Sequence, residues 1–155
     1  MSDAIVTLAE MRSPDYAGSE MLVKMPESMG KNKIKLLTFL SGGGQRLDEH
    51  VLAYMPLVGF IAKRTTFRKD GEKETRVGFF LGLVLQDGTI LQSTSEVVAN
   101  TLDSMRTLIG EMPYTDPIWV KFEKVKAKSA GFSHRLTPVE YDDIPEQADI
   151  IGEPE

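Results

Sequence analysis

Six basic side chains, Lys63, Arg64, Arg68, Lys69, Lys73 and Arg76, crowd around an Asp70-Gly71 pair in a chain whose formal net charge is −5. Clustered ammonium and guanidinium groups attract phosphate, and arginine adds a planar fork that can grip it with two parallel hydrogen bonds. Two phenylalanines, Phe67 and Phe80, stand beside them. Phe80 lies between Gly78 and Gly82, so strand alternation gives its ring a strip of sheet bare of neighbouring side chains. An aromatic ring on a basic sheet suits an unpaired nucleic-acid strand, because bases stack at about 1–3 kcal/mol each while cations follow the phosphates. The plainer account makes the stretch a solvated hairpin tip, with glycines where the sheet curves and Phe80 covered by the N-terminal arm.

A second basic series follows at Lys121, Lys124, Lys126 and Lys128, with Trp119 before it and Arg135 after it. Barrel closure would set these beside the first hairpin and widen a basic groove. Lysines alternating along a strand also serve as edge protection, and a lone Trp after Pro117 fits a core. Other chemistries find less support. With no cysteine there is no thiolate nucleophile or thiolate metal site. Asp48-Glu49-His50 has only His134 to join it, short of the three protein ligands of a catalytic zinc. Gly43-Gly44-Gln45 resembles the catalytic tripeptide of peptidyl-tRNA-hydrolysing release factors, and the resemblance stops at those three residues. There is no Walker loop, dinucleotide fingerprint or nucleophile elbow. The expectation is a protein that is not an enzyme and needs no cofactor or metal.

The elements that must position these residues are mostly β. Residues 1–32, punctuated by Ser13-Pro14, Ala17-Gly18 and Met25-Pro26, read as an irregular arm. Lys33–Leu40, a short apolar run stopped by Gly42-Gly43-Gly44, reads as a strand. Leu57–Arg68 and Thr75–Leu85 are joined through Asp70-Gly71, and Asp87-Gly88 turns the chain into Thr89–Ser93, so three strands form a meander. Apolar residues at Val97, Val98, Leu102, Met105, Leu108 and Ile109 predict a helix capped by Thr94 or Ser95 and ended by Gly110. Pro117–Lys128 and Phe132–Tyr141 read as two last strands. Strand, strand, strand, helix, strand, strand resembles the five-stranded OB-fold barrel that binds oligonucleotides, here with an extra N-terminal strand. The division expected is an arm over 1–32, an OB-like nucleic-acid-binding domain over 33–141 and a disordered acidic tail over 142–155.

Charge supports that division, running −3 over residues 1–30, +5 over 31–138 and −7 over 139–155. Within the tail, Asp142-Asp143-Ile144-Pro145 resembles the acidic tip of bacterial single-stranded DNA-binding proteins, whose disordered tails recruit partner proteins and compete with DNA. Glu146 to Glu155 follow here in place of that family's terminal Pro-Phe. An OB-like body with an acidic tail also resembles the DNA-binding proteins of phages and plasmids. The function expected is sequence-tolerant binding of single-stranded DNA or RNA in replication or recombination, with replication or recombination proteins as tail partners. The rival class is a protein-binding module, such as a phage-type inhibitor, that occupies a partner through tail and arm. No apolar run approaches the ~20 residues of a membrane helix, and Met1-Ser2-Asp3 lacks the basic start of a secretory signal, so a cytoplasmic location is expected.

Overall fold

The structure, a computed structural model, describes residues 6–26, 33–67, 71, 76–126 and 132–154. In chain order they form α1 (Leu8–Met11), β1 (Met21–Lys24), α2 (Lys33–Leu40), β2 (Gln45–Arg46), β3 (Tyr54–Phe67), β4 (Arg76–Leu85), β5 (Ile90–Ser93), α3 (Glu96–Leu108), β6 (Ile118–Lys126) and β7 (Phe132–Pro138). Short 3-10 turns cover Leu47–His50 and Tyr141–Asp143. Among the described residues no helix is long and apolar enough to cross a membrane.

The fold is mostly β, built as one sheet in the order β2-β5-β4-β3-β6-β7, with β1 also paired to β3. At 14 residues β3 is the spine, and it fills both edges. One edge pairs Tyr54–Leu57 with β6 and Phe60–Lys63 with β1. The other pairs Leu57–Phe67 with β4, after a bridge from Tyr54 to Ile150. Alternation along β4 then divides the interior. Phe79, Leu81, Leu83 and Leu85 enter the larger core with Phe60, Phe122, Leu136 and the buried face of α3. Phe80 and Val84 point the other way, into a smaller cluster with Phe39, Ile61 and Ile90 under α2. Apolar residues on both faces of β4 are needed because both faces are covered.

The meander, the helix after it and the final strand pair match the sequence reading. Ser95 is the N-cap of α3, its Oγ accepting the Val98 N–H at 3.3 Å, and Gly110 beyond the helix has φ +132°. Lys33–Leu40 is a helix, not a strand. Leu36, Phe39 and Leu40 sit at i, i+3 and i+4 on the face that packs on the sheet, a spacing that eight mostly apolar residues conceal. The glycines that seemed to bound a strand end a helix: Gly43 N–H reaches Thr38 O at 2.9 Å and Gly42 N–H reaches Phe39 O at 3.0 Å, with Gly42 at φ +85°.

Nor is the arm wholly irregular over its described residues, 6–26. It supplies α1, whose Leu8 and Met11 are fully buried, and β1. A four-residue helix and a four-residue strand are too short for periodicity to reveal. The tail, expected to be disordered, is described through Pro154 and docks on the body over residues 149–152. Tyr54 N–H donates to Asp149 O at 2.8 Å, Ile151 N–H to Tyr54 O at 3.1 Å and Asp87 N–H to Gly152 O at 3.0 Å, while Ile151 packs on the larger core. Its acidic composition hid a few apolar and backbone groups that suffice to dock it. One helix and six strands were expected; the described residues hold three helices and seven strands.

Gly82 is where α2 meets the sheet, since a Cβ there would stand 2.8 Å from Ile90 Cγ2 and 2.9 Å from Phe39 Cε2. Gly82→Ala should therefore lower stability by about 1–3 kcal/mol through overpacking. Urea unfolding measures it, and an unchanged midpoint would mean that α2 yields without cost.

Candidate nucleic-acid interface

Antiparallel register sets Lys63 opposite Phe80, Thr65 opposite Gly78 and Arg64 opposite Phe79. Directly opposed residues share a face, so the adjacent Lys63 and Arg64 part company. Lys63 is exposed on the α2 side of the sheet, beside Phe80. Arg64 points to the larger core, where Nε donates to Met11 O at 2.7 Å, an Nη donates to Ser13 O at 3.2 Å and the guanidinium lies 5.9 Å from the Tyr16 ring centre. It holds the arm in place, with Nε and one Nη already engaged by backbone carbonyls.

Phe80 is half-buried, and what covers it is α2. Its ring stacks on Phe39 with centroids 4.6 Å apart and planes 9° from parallel. The rest of its surface lines a small cavity of ≈ 120 Å³ with Arg46, Asp48, Gln92 and His134. Arg46 pairs with Gln92 across the β2–β5 ladder, and the Gln92 amide donates to Gly43 O. Asp48 Oδ1 accepts from His134 Nε2 at 2.6 Å and lies 3.5 Å from Lys124 Nζ. His134 Nδ1 is buried without a hydrogen-bond partner among the described residues, and its ring stands edge-on to Phe122 at 5.2 Å. The Asp48 and His134 weighed as metal ligands do meet, but as a pair: among the described residues no group of three His, Asp or Glu could hold a metal ion.

The second basic series is dispersed. Lys121 lies over the Tyr54 ring at 5.6 Å, Trp119 leans on Tyr141 at 5.2 Å, and Arg135 is exposed opposite Glu123. Among the described side chains of that series only Lys124 reaches the Phe80 cavity, through Asp48. The register explains why. From Leu57 to Tyr54, β6 runs back past the start of β3, whereas β4 follows β3 to Phe67, so the strands of the two hairpins extend past opposite ends of β3. Arg68, Lys69, Lys73 and Lys128 lie outside the described residues, as do the side chains of Phe67, Arg76 and Lys126. In the tail, Asp142, Asp143 and Pro145 are exposed and Ile144 is half-buried. The sequence reading missed Phe39, Arg46 and Gln92. The Gly42–Gly44 run was the available signal, because a helix stop there would have turned Phe39 onto the sheet.

Among the described residues the most deeply buried charge lies elsewhere. Arg106 is fully buried, donating to Glu111 at 2.6 and 2.8 Å, to Asp103 at 3.3 Å and to Val6 O at 2.7 Å, with its guanidinium 5.0 Å from the Phe60 ring centre. Burial pushes the Glu111 carboxyl up, but the Arg106 hydrogen bonds and charge, the Met112 N–H and Lys24 together hold it below its ordinary value. A carboxyl lowered in the folded state stabilises fully above its unfolded value, about 4.3, and loses that contribution as pH falls through the lowered folded one. Glu111→Gln should flatten the acid limb of the stability profile, read from urea midpoints across that range. Arg106→Ala should cost about 3–5 kcal/mol by stranding its carboxylates, and a small loss would show that water replaces the guanidinium.

No protein-family model matches this chain, and neither does any curated protein or solved structure.

Proposed function

We propose that this protein binds single-stranded DNA without reading its sequence, on the sheet face that carries Phe80. One observation carries the reading: a half-buried aromatic ring, propped from behind by Phe39, stands opposite exposed Lys63 and lines a cavity with Arg46. A ring fixed on one side is preorganised to stack a base on what remains of its surface, and the flanking cations suit the phosphates on either side. An OB-like barrel agrees with it. Strands β5-β4-β3-β6-β7 neighbour one another in the order third, second, first, fourth, fifth, with α3 between the third and fourth, and β1, β2 and α2 are additions. The rival in which a free acidic tail occupies a partner has less support, because residues 149–152 are engaged by the body.

Titration of a labelled oligothymidylate at two salt concentrations tests the reading. Binding should weaken as salt rises, with each neutralised phosphate adding about −0.7 to the slope of log K against log salt, and Lys63→Ala with Arg46→Ala should flatten that slope. Phe80→Leu keeps an apolar plug against Phe39 but removes the ring, and should cost about 1–3 kcal/mol of binding. Absence of binding at low salt, or tighter binding of duplex, overturns the proposal. RNA of the same sequence is the comparison arm.

A further inference from the structure

We infer that a second unpaired base is held in a cleft behind Phe39, an extension that rests on the Phe80 face binding a strand. The cleft, of ≈ 210 Å³, lies between α2 and the turn that follows it. Its apolar lining is Ile34, Phe39 and Ile90, and one wall is the bare backbone of Gly43 and Gly44. That wall is flat for a structural reason. Gly44 has φ +95°, which L side chains avoid, and a Cβ on Gly43 would come within 3.1 Å of Thr38 Cγ2. A slot between an aromatic edge and side-chain-free peptide planes fits a planar ring.

The rim favours a base over an apolar guest. His50 Nε2 donates to Gln45 Oε1 at 2.8 Å, which leaves the Gln45 amide nitrogen as a donor for a ring carbonyl. Lys35 is exposed at the rim, and no carboxylate lines the cleft among the described residues, in a chain that carries 23 acidic side chains. The two cavities are neighbours. Phe39 lines the cleft and stacks on Phe80, while Gly43 lines it and accepts from Gln92 of the first cavity. Successive bases of one strand can therefore enter on either side of the Phe39–Phe80 pair, with Arg46 and Lys35 positioned for phosphates.

The test uses the full chain and oligothymidylates from about 4 to about 16 nucleotides, the range an OB fold occupies. Ile34 is 79% exposed, so Ile34→Glu changes the cleft without touching the core. Together with Lys35→Ala it should weaken the longer oligonucleotides about tenfold, within the range of one lost stacked base, and the shortest ones less. An unchanged melting temperature should accompany the loss. If wild type binds, Phe80→Leu weakens it and the α2 variants leave every length unaffected, the second subsite is wrong and the first stands. If wild type binds no oligonucleotide, both fall.

Discussion

A guanidinium with no access to water has to be surrounded by acceptors, and the segments that supply them are thereby tied together. Arg106 is that group. Its partners come from the arm at Val6, from its own helix at Asp103, from the loop after it at Glu111 and, through a ring face, from β3 at Phe60. Each partner then holds something further. Asp103 accepts the first backbone N–H groups of α1, from Leu8 at 2.7 Å and Ala9 at 3.0 Å, and Glu111 lies 3.7 Å from Lys24 of β1. With arm and β1 so placed, Lys24 O presses on Gly59 so closely that no side chain fits, and Met11 O is where Arg64 needs it.

That arrangement separates the two faces of the sheet by purpose. The larger core is closed by α3 and the arm, and Arg64 on that face is engaged in the closure through Met11 and Ser13. Among the described residues the other face is covered by α2, eight residues long, and by Met25, which shield Val84 and Ile61 but leave Phe80 half-open and Lys63 exposed. Gly82, where a Cβ would meet the Phe39 ring, keeps that strip low enough for Phe39 to lie flat against Phe80.

What could be read from the sequence followed from alternation and capping. The two faces of β4, the Asp87-Gly88 turn, the Ser95 cap and the course of α3 all express local rules acting on adjacent residues. What escaped depended on partners distant in the chain. Lys33–Leu40 is apolar enough for either structure, and its choice of helix is made by the sheet face it covers and the glycines that stop it. Nothing near Arg64 foretells its bond to Met11, and nothing near Trp119 foretells Tyr141. Of the candidate site, Lys63 and Phe80 were visible. Phe39, Arg46 and Gln92 arrive there only once α2 and β2 are folded onto the sheet.

The contacts that close the molecule also have a temporal meaning. Hairpins β3–β4 and β6–β7 join neighbours in sequence and can form as soon as their strands exist. The bonds from Leu8 to Asp103 and from Arg106 to Val6 span 95 and 100 residues. The Tyr54–Ile150 bridge is comparably distant. Closure over such spans is entropically expensive and is repaid only when burial is nearly complete, which places arm and tail docking late and makes folding slow for a chain of this size. Until the arm arrives, the ring of Phe60 and the ends of α3 face water while the strands around them are already paired. A nascent chain passing through that stage exposes an apolar sheet surface to its neighbours, and the interval before the first residues find Asp103 is the one in which it is most prone to aggregate.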